Sequence, residues 1–222
     1  MQGDFKQPGA RAAAGSQLPG RGLVSQLGRE LRWHAPFTLL GTLTAILIMV
    51  FFSVAQVPQM ISAGLFWGFH PLHVLLSALV TTAMYALQGQ RSLGATVAVG
   101  YLGSVGIATV SDCVIPYVAE FLLDLPNRGV HLGFIEKWWL VNPMAALGIA
   151  AGIIWPKTRL AHAGHVLIST WASLFHVVMA SGGPVRPVEV LVIAIFLFLA
   201  VWIPCCTSDI VFPLLCCRSR TS

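Results

Sequence analysis

His70-Pro71-Leu72-His73-Val74-Leu75-Leu76-Ser77 is echoed later in the chain by His162-Ala163-Gly164-His165-Val166-Leu167-Ile168-Ser169. A second pair follows in the same order: Ser111-Asp112-Cys113-Val114-Ile115-Pro116 and Ser208-Asp209-Ile210-Val211-Phe212-Pro213. A weaker pair precedes both, Pro36 to Gly41 and Pro143 to Gly148. Three landmarks in one order describe two copies of a unit of roughly a hundred residues. Each copy repeats two histidines and an aspartate, the side chains that cost most in lipid.

Apolar residues make up 56% of the 222 and charged ones only 9%, against roughly 25% charged in a soluble domain. Too little charge is present to cover a globular surface, so the chain reads as an all-α integral membrane protein. Six stretches have the length and apolarity of spans, at about 37–57, 64–87, 93–123, 140–156, 163–181 and 188–212. The third and sixth are overlong and contain Pro116 and Pro204, which predicts a break or tilt in each. Residues 1–33 are rich in Gly, Ser, Pro and Arg without an apolar period and read as a disordered tail, not a signal peptide. The domain plan is then a tail (1–33), a first three-helix repeat (34–125), a loop (126–139), a second repeat (140–215) and a short tail (216–222).

Of the 13 Lys and Arg residues, Arg128, Lys137 and Arg186 fall on one side of these spans and the other ten on the side of the termini. The positive-inside rule then puts both termini in the cytoplasm, as an even number of spans requires. The setting this suggests is the cytoplasmic membrane of a bacterium or archaeon. Three helices per copy is an odd number, so the second copy is expected to lie inverted relative to the first (3+3). That plan recurs in secondary transporters, although duplicated channels and membrane enzymes exist too.

On this plan His70 and His73 open the second helix and Asp112 closes the third on the outer side. His162, His165 and Asp209 occupy the matching places on the cytoplasmic side. Residues at i and i+3 share a helical face, and two imidazoles with a carboxylate suit Zn, Fe, Mn, Co or Ni. The positive end of a helix keeps histidine neutral, and a carboxylate at the negative end needs a cation. Ser77 and Ser169, one turn beyond His73 and His165, are placed to hydrogen-bond the ligands. Cys113, Cys205, Cys206 and His176 are additional donors, and the position equivalent to His176 is Met84.

Several features carry simpler readings. The aspartates can pair with the histidines as a structural clasp between helices. Paired histidines can hold b-type haem, but such ligands come from separate helices and not from one His-x-x-His pair. Glu120, Asp124, His131 and Glu136 read as a solvated loop more readily than as an acidic vestibule. The five cysteines include two vicinal pairs and suggest no disulfide framework. No phosphate loop, nucleic-acid-binding element or hydrolase triad is present in the sequence, so nucleic acid is not an expected partner.

The leading functional reading is a permease for a divalent transition-metal cation, working by alternating access between two His-His-Asp sites. The partners it implies are the lipid bilayer, a metal ion or small solute, and a second copy of the chain. A membrane metalloenzyme, a proton-coupled carrier without metal and a structural subunit are the alternatives. An enzyme would not need the same cluster on both faces, which argues against catalysis.

Overall fold

The computed structural model describes residues 19–87, 92–155, 159–183, 185–207, 212 and 216, with only the backbone described at 19–27, 29–30, 33, 159–163 and 206. Every regular element among the described residues is helical. They are α1 (Pro19–Val54), α2 (Gln59–Ala86), α3 (Leu93–Leu122), the short α4 (Gly133–Glu136), α5 (Trp138–Ile154), α6 (Arg159–Ser181) and α7 (Pro187–Cys206).

Five of these helices are long and apolar enough to cross a membrane. The fourth of the six expected spans, α5, is a shorter apolar helix of 17 residues. The chain is inside-out relative to a soluble protein: Leu39, Leu43, Leu47 and Phe51 on α1 are half or more exposed, while His70, His73, Asp112, Glu120, His165 and His176 are buried. Such a pattern fits a lipid-bathed surface, where apolar groups face outward and ionisable groups turn inward.

Three sequence expectations about the helices are revised. Residues 19–33 belong to α1 and not to an unstructured tail, and the Leu31 carbonyl accepts a hydrogen bond from Trp202 Nε1 at 2.8 Å, which ties this part of α1 to α7. Pro204 lies inside α7, which continues through it to Cys206. Pro116 does not break α3 either. The helix instead widens into π-helical stretches at Leu102–Gly106 and Val110–Val114. Proline has no N–H and its ring crowds the carbonyl of residue i−4, which here is Asp112, and the widened stretch immediately precedes Pro116. The Ser-Asp-x-x-x-Pro motif thus coincides with a local loosening of the helix at its own aspartate.

The helices α2 and α6 form the centre. Along their contact, Gln59 meets Met179, Phe66 meets His176, Phe69 meets Phe175 and His73 meets His165. Numbers rising on one helix as they fall on the other define an antiparallel pair. Packed beside α6 is α1, through Gly41 against Thr170 and Thr44 against Trp171. In turn α5 packs beside α2, through Gly148 and Gly152 against Leu75 and Leu79. At one end of the bundle, here the loop end, Asn127 bonds Ala180 and Val185 bonds Ser53.

Candidate metal centre

Because α2 begins at Gln59, right after Pro58, His73 lies halfway along a 28-residue helix and not at its mouth. Asp112 likewise precedes the end of α3 at Leu122 by about 15 Å of helix rise. Helix-end electrostatics therefore cannot act on these groups as the sequence reading supposed. The charge of Asp112 is met instead by direct hydrogen bonds.

Those bonds saturate the carboxylate. Oδ2 accepts from His70 Nδ1 at 2.9 Å and from His73 Nδ1 at 2.7 Å. Oδ1 accepts from Ser111 Oγ at 2.7 Å and from Ser169 Oγ at 2.9 Å. Ser173 Oγ donates to the Ser111 carbonyl at 3.0 Å, tying α6 to the π-helical stretch of α3. Three helices, α2, α3 and α6, thus converge on one buried anion.

Fixing Nδ1 of His73 as a donor leaves Nε2 as its lone-pair nitrogen. That atom lies 4.0 Å from Cys205 Sγ of α7. The His165 ring stacks on the His73 ring, planes 5° apart and centroids 5.7 Å apart. One donor atom from each of His73, His165 and Cys205 lies within 4.8 Å of the others, and all three residues are buried. This is the group among the described residues with the spacing of a metal site. A tetrahedral ion with bonds of about 2.3 Å to sulfur and about 2.0–2.1 Å to nitrogen holds those atoms roughly 3.6 Å apart. The 4.0 Å separation is therefore within a small side-chain adjustment of ligation.

His165 of α6 sits against His73 of α2, and Ser169 of α6 bonds Asp112 of α3. His70 shares the Asp112 carboxylate with His73, and Cys205 is the third side chain of the group. His70 Nε2 is buried without a hydrogen-bond partner and faces Gly133, where a Cβ would approach it to 2.5 Å. Cys113 packs in the apolar core with Phe66 and Leu174, away from the three donors. Ser77 is buried on α2 one turn beyond His73. The side chains of His162 and Cys206, and all of Asp209, lie outside the described residues.

His176 has a partner that its sequence context did not suggest. Glu120, expected in a solvated loop, is fully buried and its Oε1 lies 2.5 Å from His176 Nδ1. The available signal was that Glu120 falls inside the 93–123 apolar run, where a carboxylate needs a partner. No protein-family model matches the chain, and no curated protein or solved structure matches it at a significant level.

Proposed function

We propose that this membrane protein is a permease for a divalent transition-metal cation, with one binding site deep in the bundle built by His73, His165 and Cys205. The observation that carries the reading is the stacking of His73 on His165 beside Cys205, with His73 held by Asp112. A carboxylate behind a ligating histidine fixes its tautomer and raises its basicity. Charge balance selects the ion. A Cys205 thiolate and the Asp112 carboxylate sum to two negative charges, which a divalent cation cancels in a medium where uncompensated charge is costly. Two imidazoles and a thiolate favour zinc and its softer neighbours over magnesium or calcium.

Transport is supported by the internal symmetry. His73 and His165 hold equivalent positions in the sequence repeat, and they touch on antiparallel helices. A twofold axis relating two such copies would have to pass between them, lying in the membrane plane. Inverted repeats bind their substrates at that place, near the bilayer midplane. On this reading α5 also crosses the membrane, both termini are cytoplasmic, and the two three-helix halves rock about the ion.

The test is metal content and flux on the full chain. Purified protein loaded with zinc and freed of excess should retain one equivalent per chain, and proteoliposomes should pass zinc to an enclosed fluorescent indicator. Cys205→Ser and His165→Gln should lose both. Zinc retained by both variants would overturn the site, and metal bound without flux would overturn transport. In the second reading, a carrier that moves protons without metal, favoured by the two imidazoles on Asp112, the protein retains no metal.

A further inference from the structure

The described residues hold a second buried set of titratable side chains, apart from the metal centre. His176 and Glu120 are fully buried, from α6 and α3, with Nδ1 2.5 Å from Oε1. The second carboxylate oxygen accepts the Gly129 N–H at 3.3 Å. His176 Nε2 has no hydrogen-bond partner. With Nδ1–H donated to a carboxylate, Nε2 carries a bare lone pair. The dyad is then a base with one net negative charge in a low-dielectric interior, and one added proton makes it neutral.

A second histidine lies between it and the surface. The His131 ring packs on the His176 ring at a centroid distance of 5.4 Å. His131 is 34% exposed, and its Nδ1 bonds Glu136 Oε2 at 3.2 Å. A histidine at the surface thus touches one in the core. Beyond these, the titratable groups near His176 are Cys113 of α3, which shares its apolar cluster with Phe66, and His70 of α2, stacked on the far side of Phe66. The rim charges pair with each other, Arg128 with Asp124 and Arg186 with Glu189. The donors of this set are not gathered at metal-ligand spacing, so a proton is the cation that fits. The repeat places Met84 opposite His176, so the first copy has no counterpart of that histidine.

We propose that Glu120 and His176 form a proton-binding site, separate from the metal centre, that is loaded from the loop end of the bundle through His131. A proton from water adds to the His131 ring. It then passes to His176 Nε2, and the imidazolium formed is held by Glu120. No bond other than N–H is made or broken, and no redox partner is needed. The site stands whether or not the centre at His73 binds metal.

The experiment is nuclear magnetic resonance of histidine ring nitrogens in the full chain, 15N-labelled and reconstituted in liposomes. The His176 signals, assigned by their loss in His176→Gln, should change reversibly between protonation states as the bath pH is stepped. Glu120→Gln should move that midpoint, because removing the anion disfavours the imidazolium. His131→Ala should keep the midpoint and slow the exchange. A His176 ring locked in one state across the range, or a midpoint unmoved in Glu120→Gln, would overturn the proposal and leave a structural clasp. Zinc stoichiometry, measured on the same samples, should stay unchanged in Glu120→Gln, so this failure is distinct from failure of the metal site. If His176→Gln does not fold, the signal that moves in Glu120→Gln provides the assignment.

Discussion

Gly41 of α1 lies so close to Thr170 of α6 that a Cβ on it would come within 2.8 Å of the threonine hydroxyl oxygen. The matching glycine, Gly148 of α5, has Ala78 of α2 at the same 2.8 Å, with the Leu75 carbonyl nearer still. In the repeat alignment Gly41 corresponds to Gly148 and Ala78 to Thr170. One helix contact therefore occurs twice, with the partners exchanged between copies.

Replacing these glycines should be costly in a graded way. Gly148→Ala drives a methyl into backbone and should destabilise by roughly 1–3 kcal/mol, as overpacking does. Gly41→Ala meets a side chain that can rotate and should cost less. Gly94 has open space around its Cβ position, so Gly94→Ala should be neutral or gain up to about 1 kcal/mol of helix propensity. Thermal unfolding in one detergent, compared across the three variants, checks the order.

Asp112→Asn should weaken zinc binding by about 10- to 100-fold without removing a ligand, the usual effect of losing the carboxylate behind a metal-bound histidine. Cys205→Ser should cost more than that. Competition against a chelator of known affinity measures both, and equal affinity in Asp112→Asn and the parent protein would mean that the carboxylate only clasps helices.

Asp209→Asn should reproduce the transport defect of Asp112→Asn if the two copies play equivalent roles. Zinc influx into proteoliposomes is the readout. A silent Asp209→Asn beside an impaired Asp112→Asn would limit the repeat to architecture.

Zinc affinity should fall as the pH drops, because thiolate and neutral imidazole bind the metal and protonation removes both. Calorimetry in buffers of different ionisation enthalpy counts the protons released. Cys205→Ser should release about one fewer than the parent, since that variant has no thiol to deprotonate.

The apolar helices and the pairing of histidine with aspartate were legible in the sequence, because each leaves a local pattern. Depth was not. The run read as starting near 64 begins at Gln59, and the residues between are too mixed in polarity to show a period, although Pro58 marks the boundary. That shift of about a turn and a half moves His70 and His73 from the rim into the interior. The meeting of His73 with His165, and of Glu120 with His176, depends on helices far apart in the chain. No local pattern encodes such contacts.

The two π-helical stretches of α3 lie within a dozen residues of one another, with Asp112 in the second. A regular helix resists bending through an unbroken ladder of hydrogen bonds, and kinks concentrate where that ladder is disturbed. Mechanically, the third span is two stiff rods joined by a compliant length, and the compliant length holds the anion. The rod from Ile115 to Leu122 and the rod beginning at Leu93 meet across it, with Asp112 at the joint.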